Sequence, residues 1–166
     1  MSDAELRDVF DKCLSYCADT GIFHWKVPVG RWGRIHAGSV AGSASHGYQT
    51  VVVLGKRSPL HRVAWLLTHG AWPAGEIDHI NGKRDDNRLC NLRDVPKRLN
   101  GHNRQGPNRD NLSSGLLGVT KNGRVGWMAQ ITVDGKRIYL GTFQDPNKAH
   151  SAYLEAKRHM HAGCTI

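Results

Sequence analysis

The sequence predicts an α+β fold divided into two small units. Its 166 residues are 39% hydrophobic, which is enough for a real but not large core. Apolar residues recur at helical spacing in several segments, and short β-type runs lie between them. Residues 105–115 have no apolar periodicity and are rich in Gly, Pro, Asn and Ser, which is typical of a linker. The predicted division is therefore a domain over 1–104, a linker over 105–115 and a domain over 116–166.

The charge of the chain favours a polyanionic partner. Lys and Arg number 23 against 14 Asp and Glu. Residues 1–20 hold five acids and two bases, whereas residues 83–109 hold eight bases and three acids. Such a local basic surface favours nucleic acid first and an anionic membrane second. The plain alternative is that a basic protein is merely more soluble.

Several classes of protein find no support in the sequence. There is no run of about 18 apolar residues, and the acidic start "MSDAELRDVF" is unlike a signal peptide. We therefore expect a soluble protein of the cytoplasm. Cys13, Cys17, Cys90 and Cys164 form no CxxC pair, so neither a zinc knuckle nor a disulfide framework is indicated.

The N-terminal part predicts a helix, short strands and a second helix. Apolar residues at helical spacing in "DAELRDVFDKCLSYC", with Asp3 as a cap, predict a helix whose one face includes Cys13 and Cys17. The runs "GIFHWKV", "HAGSVAGS" and "YQTVVVLGK" predict a small β layer. A helix from about Pro59 to His69 should follow, with Pro at its start and Gly after its end.

The C-terminal part predicts three strands and a helix. Asn122-Gly123 and Asp134-Gly135 are strong hairpin signals, because both residues of a type I′ turn need positive φ. A two-residue turn at Asp134-Gly135 pairs Val133 with Lys136, and counting back extends the register to Ala129 and Leu140.

This register sorts the side chains of the hairpin into two faces. The apolar face holds Ala129, Ile131, Ile138 and Leu140, and the polar face holds Gln130, Thr132, Arg137 and Tyr139. A helix capped by Asp145 should cover the apolar face with one stripe, formed by Ala149, Ala152, Tyr153, Ala156 and Met160. The polar face is then open to a partner.

The stretch "IDHINGKRDDNRLCNL" contains the candidate reaction centre. Asp78 and His79 are adjacent, so on an extended backbone they point to opposite sides. A neutral imidazole can take a proton from water near neutral pH, and a carboxylate is a hard oxygen ligand for Mg²⁺. A helix is predicted to follow from about Val95, with Asp94 as its cap. The alternative is a capped surface turn, because Asp, Asn and Gly are ordinary turn residues.

The segment "EIDHINGKRDDNRLCNLRDVPKRLNGHNR", with "HRVAWLLTHGAWP" before it, resembles the HNH endonucleases of the phage type. That resemblance implies a ββα-metal unit, two strands, a loop and a helix around one divalent ion, over about residues 60–104. It implies that Asp78 is a metal ligand, His79 the general base and Asn91 a brace for the loop. Asn100 would be the second metal ligand, with His102 and Asn103 as less certain substitutes. His24, His46, His61 and His69 are expected to be structural groups or phosphate contacts.

The stretches "GVTKNGRVGWMAQI", "KRIYLGTF" and "KAHSAYLEA" resemble an AP2 domain, a three-strand-plus-helix DNA binder also found fused to phage HNH proteins. The resemblance implies that Arg137 and Tyr139 contact DNA, with Gln130 and Thr132 beside them. Plant members usually have Arg after Gly-Val, where this chain has Thr120 and then Lys121, which would keep a basic grip on phosphate. Trp127 should belong to the core.

Together the two resemblances imply a site-selective DNA endonuclease of the phage homing type, using Mg²⁺ or Mn²⁺. Double-stranded DNA is the expected partner, and the chain is expected to act as a monomer or weak dimer. Flanking phosphates would be held by basic residues of the first domain: Arg84, Arg88, Arg93, Lys97, Arg98 and Arg104. The alternative is a regulatory or architectural protein that binds DNA without cutting it.

Overall fold

The computed structural model describes residues 1–104, 106–107, 111, 113–124 and 126–165. It divides into two compact units, Met1–Pro96 and Lys97–Ile166, and both contain helices and strands, as an α+β fold requires. Parts of the predicted linker, residues 105, 108–110 and 112, lie outside the described residues.

The first unit begins with a short helix and a two-stranded ribbon. Helix α1 (Asp3–Cys13) starts at Ser2, whose side chain accepts a hydrogen bond from the Glu5 backbone while the Glu5 carboxylate accepts one from Ser2. Strand β1 (Leu14–Tyr16) pairs antiparallel with β2 (Phe23–Trp25).

The predictions that Asp3 caps the first helix and that the helix runs to Cys17 are wrong. Ser2 is the cap, and the chain leaves the helix at Leu14, which is fully buried opposite Trp25. Pairing with β2 satisfies the backbone hydrogen-bonding groups from Leu14 onward as well as a further helical turn would. Cys13 and Cys17 therefore do not share a helical face.

A three-stranded antiparallel sheet comes next. It consists of β3 (Ser43–Ser45), β4 (Tyr48–Val53) and β5 (Lys56–Pro59), in the order β3-β4-β5. The turn between β4 and β5 has positive φ at both Leu54 and Gly55, which suits the twist of a tight hairpin. Helix α2 (Leu60–His69) follows and ends at Gly70 in the left-handed conformation, as predicted.

The last pair of strands in the first unit carries the candidate reaction centre. Strand β6 (Glu76–His79) pairs antiparallel with β7 (Leu92–Val95), which sets Asp78 opposite Arg93 and His79 opposite Leu92. The core of this unit is formed by buried side chains: Phe10, Leu14, Phe23, Trp25, Ala41, Val51, Val53, Leu60, Val63, Ala64, Leu66, Ile77 and Leu92.

The helix after this ribbon starts later than predicted. Val95 still belongs to β7, and α3 (Lys97–His102) begins two residues further on, in the second unit. Asp94 does not cap it: its carboxylate accepts hydrogen bonds from the backbone N–H groups of Ala74 and Gly75, both at 2.8 Å. The predicted first domain included the helix, whereas its contacts group it with residues 97–166.

The second unit contains a three-stranded antiparallel sheet covered by one helix. Its strands are β8 (Val119–Asn122), β9 (Gly126–Val133) and β10 (Lys136–Phe143), in the order β10-β9-β8. Helix α4 (Pro146–Met160) is capped by Asp145, as predicted. The core here is made by Val119, Ala129 and Ala149, with Leu116, Trp127, Leu140 and Phe143 packed around them.

The predicted hairpin register is confirmed near the turn and wrong beyond it. Asp134 and Gly135 both have positive φ, and Ile131 lies opposite Ile138 as expected. Ala129, however, pairs with Gly141 and not with Leu140, because the register shifts between Tyr139 and Gly141. Leu140 is the extra residue of a bulge and still packs against the core.

The predicted apolar stripe of α4 is partly confirmed. Ala149 and Tyr153 are buried, whereas Met160 is exposed. Lys157, four residues after Tyr153, is buried in its place and donates a hydrogen bond from Nζ to the Arg104 carbonyl oxygen. Burial lowers the pKa of Lys157.

Among the described residues, no helix has both the length and the apolar character needed to cross a bilayer.

Candidate active site

Asp78 is held by an arginine on the neighbouring strand. Its side chain is buried, and its Oδ2 atom accepts from both Nε and Nη2 of Arg93, at 2.8 and 2.7 Å. The antiparallel register makes this contact, because it sets the two residues directly across from each other. The positive guanidinium compensates a carboxylate that would otherwise be costly to bury.

His79 is held on the other side of the strand by an asparagine. The ring is 5% exposed, and its Nε2 atom lies 3.3 Å from Oδ1 of Asn87. An amide oxygen can only accept a hydrogen bond, so this contact puts the proton on Nε2 and leaves the lone pair on Nδ1. Burial lowers the pKa of His79, while the hydrogen bond to Asn87 and the charge of Asp78 act in the opposite direction. His79 is therefore a neutral imidazole at neutral pH.

Asn87 is itself fixed by two contacts from the N-terminal ribbon. Its backbone carbonyl oxygen accepts a hydrogen bond of 2.7 Å from the Tyr16 hydroxyl. Burial raises the pKa of Tyr16 to about 12, so the hydroxyl keeps its proton. Gly21 packs so closely that a Cβ atom there would lie 2.6 Å from the Asn87 carbonyl carbon. The backbone of Asn87, from which the amide reaches His79, thus has little freedom to move.

Two aromatic rings enclose His79 from α2 and β4. The centroid of the His61 ring lies 5.2 Å from that of His79, and the Tyr48 ring lies 5.1 Å from His61 and 6.0 Å from His79. Burial lowers the pKa of His61 to about 4, with smaller contributions from His79 and Arg62. His61, expected to be a structural group or a phosphate contact, is 8% exposed, and its Nδ1 atom has no hydrogen-bond partner among the described residues.

Asn91 ties together the two ends of the loop that follows β6. Its Oδ1 atom accepts from the Asn81 backbone at 2.9 Å, and its Nδ2 atom donates to the Asp86 carbonyl oxygen at 2.8 Å. Its own carbonyl oxygen accepts from the Ile80 backbone at 2.9 Å. These contacts are those a loop brace would make, which is the role that the sequence predicts for Asn91.

The predicted phosphate-binding residues of the first unit have varied surroundings. Arg93 is the partner of Asp78, and Arg88 makes two hydrogen bonds to Asp86, which hold the pKa of that carboxyl well below its usual range. Arg84 lies over the Tyr48 ring, with its guanidinium carbon 5.1 Å from the centroid. Arg84 and Arg88 are exposed and accessible to a polyanion.

The remaining predicted ligands and basic residues lie in the second unit. Asn100 is half-buried on α3, the His102 ring stacks on His161 at 4.1 Å, and buried Asn103 accepts a hydrogen bond from Thr165. Burial lowers the pKa of His102. The basic residues there divide as follows: Lys97 is exposed, Arg98 pairs with Asp134, and Arg104 donates to the carbonyl oxygens of Gly106 and Pro107. The predicted roles of these residues stay predictions.

The polar face of the second sheet is open in the way the register predicts. Thr132, Arg137 and Tyr139 are exposed, and Gln130 is half-buried. Gln130, Thr132 and Arg137 line a cleft of about 730 Å³ together with Arg104 and other residues of this unit. Lys121 is also exposed, but alternation along β8 places it on the side of buried Val119.

The first unit offers an oxygen donor that suits a hard divalent ion. Mg²⁺ is usually held by one or two carboxylates together with water and substrate phosphate. The buried carboxylate of Asp78 is suited to be one of these protein ligands. The Arg93 guanidinium, which occupies Oδ2, shows that this carboxylate already sits against a positive charge. No group of three or more His, Cys, Asp or Glu that could hold a metal occurs among the described residues.

Sequence reasoning missed four residues around His79: Tyr16, Tyr48, His61 and Asn87. Tyr16 and Tyr48 come from distant strands, so only the tertiary fold brings them together. Asn87 lies in a run of turn residues, where one asparagine has no distinguishing mark. The only available signal was that "HRVAWLLTHG" begins with a histidine on the first turn of an otherwise apolar helix.

Comparison with protein families identifies one match. Residues 58–102 match the family model described as HNH endonuclease, from the end of β5 through α2 and the β6–β7 ribbon to α3. No curated protein and no solved structure gave a significant match to the chain. The family match supports an HNH nuclease in the segment that carries Asp78, His79 and Asn91.

Proposed function

We propose that this protein is a site-selective, metal-dependent DNA endonuclease of the phage homing type. The observation that carries the proposal is the pair at the end of β6: a buried carboxylate on one side of the strand and a neutral, oriented imidazole on the other. The pair lies in the segment that matches the HNH endonuclease family. Hydrolysis of a phosphodiester needs both a base for the water and positive charge near the leaving oxygen.

His79 acts as the general base. Its Nδ1 atom takes a proton from a water molecule, whose oxygen attacks the phosphorus. The bond from phosphorus to the 3′ oxygen breaks, the 3′ oxygen takes up a proton from solvent, and the products are a 5′ phosphate and a 3′ hydroxyl. Asn87 keeps the proton of the resting imidazole on Nε2, so that the basic atom faces away from the amide. Its lowered pKa keeps His79 unprotonated before the reaction.

Asp78 would hold the divalent ion, and the resemblance to phage HNH enzymes implies that Asn100 would be a second oxygen ligand. When bound, Mg²⁺ or Mn²⁺ supplies the positive charge that stabilises the transition state and the leaving 3′ oxygen. Arg93 neutralises the same carboxylate when the ion is absent. Asn91 keeps the loop after β6 closed, so that His79 stays in position.

The second unit docks the enzyme on DNA through its open sheet face, in the manner of an AP2 domain. Exposed Arg137 and Tyr139, with Thr132 beside them, form a polar and basic surface on β9 and β10, while α4 covers the opposite face. Phosphate contacts set the position of the enzyme and base contacts set its sequence preference. With one reaction centre per chain, a monomer should nick one strand.

Incubation with supercoiled plasmid tests the proposal. The wild-type protein should nick the plasmid with Mg²⁺ and not with EDTA. The variant His79→Ala should bind DNA but cut it at a rate lower by about two orders of magnitude or more. The matched control is His69→Ala, an exposed histidine of the same unit that stacks on Trp65, and it should cut normally. If the wild-type protein binds DNA but cuts neither the plasmid nor its own genomic neighbourhood, the protein is a DNA-binding regulator.

A further inference from the structure

A tight loop in the first unit projects a tryptophan into solvent. Val29 and Ile35 exchange two backbone hydrogen bonds, of 2.9 and 3.1 Å, and close the loop at its base. The tip, residues 30–34, has the sequence Gly-Arg-Trp-Gly-Arg. We call it the Trp32 loop.

Trp32 has an unusual backbone conformation for so exposed a residue. Its side chain is 86% exposed, and its backbone has φ 61° and ψ 26°, in the left-handed region. Such a conformation costs a non-glycine residue on the order of 1 kcal/mol, and strain of this kind clusters at functional sites. Gly30 and Gly33, on either side of it, also have positive φ, so the turns at the tip of the loop place the tryptophan outermost.

The segment of chain that contains the loop carries only positive formal charge. Arg31 and Arg34 are exposed on either side of Trp32, and the Arg31 guanidinium carbon lies 5.9 Å from the Trp32 ring centroid. Residues 20–75, which include the whole loop, contain six Lys and Arg and no Asp or Glu. An exposed aromatic ring in a loop that also carries two exposed arginines suits a partner that combines flat apolar surfaces with phosphates.

We propose that the Trp32 loop is a second DNA contact, in which Trp32 stacks on a base and Arg31 and Arg34 bind the adjacent phosphates. This inference rests on the proposed function, because it assigns DNA to the unit that carries the HNH-like segment. Insertion of an apolar side chain at a base step locally unstacks DNA. The loop would therefore hold the duplex in a deformed state while the second unit supplies sequence preference.

The test measures binding of duplex DNA in EDTA, so that it does not depend on cleavage. Trp32→Ala should weaken binding by about 5- to 100-fold, the range expected for loss of one stacked base, and Trp32→Phe should keep most of the affinity. The matched control is Val40→Ala, which also shortens an exposed apolar side chain of this unit and should leave binding unchanged. Trp32→Gly should bind as poorly as Trp32→Ala yet unfold no earlier than the wild type, because glycine tolerates positive φ.

Fluorescence gives a direct readout of the contact. The difference in emission between the wild type and Trp32→Phe isolates Trp32, and stacking on a base should quench it when DNA is added. Unchanged binding by Trp32→Ala would overturn the proposal, whether or not the protein cuts DNA. A blue shift with anionic phospholipid vesicles and no response to DNA would also overturn it, in favour of a lipid surface. Failure of the nuclease proposal would instead appear as intact DNA in the plasmid assay, with the Trp32 response retained.

Discussion

The Nε2 atom of His79 and the Oδ1 atom of Asn87 lie 3.3 Å apart inside the first unit, and both residues are buried. This contact decides which ring nitrogen is basic, and it depends on a residue eight positions along the chain. The orientation of the proposed base is thus set from within its own loop, by the side chain of Asn87, and the Tyr16 hydroxyl and Gly21 both contact the backbone of that residue.

Asn87→Ala should therefore slow cleavage without abolishing DNA binding. Loss of the amide frees the ring to rotate and to exchange tautomers, and a misplaced catalytic group can cost on the order of 100-fold. Single-turnover cleavage with Mg²⁺ measures the effect, and DNA binding in EDTA together with thermal unfolding checks that the variant is folded. A cleavage rate equal to that of the wild type would show that Asn87 does not position His79.

Arg93→Ala should destabilise the metal-free protein and make its stability respond to Mg²⁺. Removing the guanidinium takes away the positive charge that lies against the buried carboxylate of Asp78, at a cost on the order of 3 kcal/mol. A divalent ion can replace the lost positive charge, so Mg²⁺ should raise the melting temperature of the variant more than that of the wild type. Arg88→Ala, which breaks an exposed pair with Asp86, is the control and should show a smaller loss and no added response to Mg²⁺. An equal response in both variants would argue against Asp78 as a ligand.

The buried His61 should make the protein less stable as the pH falls. Its ring faces His79 and Tyr48, with Arg62 adjacent, and its pKa is about 4 against an ordinary value of 6.5. Between these values the unfolded chain binds a proton that the folded protein excludes. The stability associated with His61 is therefore fully present above pH 6.5 and is lost towards pH 4, by up to about 3 kcal/mol.

His61→Phe tests this pH dependence because it keeps an aromatic ring without a titratable group. Denaturant unfolding at several pH values should give a flatter profile for the variant than for the wild type. The variant should also be at least as stable at neutral pH, since it removes a buried nitrogen without a partner. Identical slopes in the two proteins would mean that His61 takes up its proton as readily in the folded protein as in the unfolded chain.

Arg137→Ala should weaken DNA binding at every sequence and lower its salt dependence. Arg137 is exposed on the open face of the second sheet. One lost phosphate contact reduces the slope of log affinity against log salt by about 1. Lys148→Ala removes the same charge from exposed α4, which covers the opposite face of the sheet, and it should change neither quantity. Equal effects of both variants would indicate that the weaker binding comes from the lower net charge and not from a contact on the open face.

The sequence predicted those features that depend on local chemistry. The end of α2 at Gly70, the cap of α4 at Asp145 and the tight turn at Asp134-Gly135 each follow from the preferences of one or two residues. The adjacent placement of Asp78 and His79 on an extended strand likewise needed only the alternation of side chains.

Features that depend on distant partners were not predictable in this way. Leu14 has helical spacing but becomes a strand residue because Trp25 lies opposite it. Asp94 looks like a helix cap but instead accepts from the backbone of Ala74 and Gly75. The environment of His79 depends on Tyr16, Tyr48 and His61, and no local pattern could assemble residues so far apart in the chain.

The bulge at Leu140 gives β10 a change of phase part-way along its length. Across the bulge, residues that are three positions apart lie on the same side of the strand, where a regular strand would need two. The Tyr139 hydroxyl and Thr142 Oγ1 lie 2.8 Å apart on one side, and Leu140 and Phe143 both pack on the core on the other. Deleting Leu140 would restore strict alternation and keep Thr142 and Phe143 on their present sides, because the pairing of the later residues with β9 already skips Leu140. If β10 kept Leu140 but alternated strictly, Thr142 would face the core and Phe143 would face solvent, so the bulge is what keeps both ends of the strand matched to the two faces of the sheet.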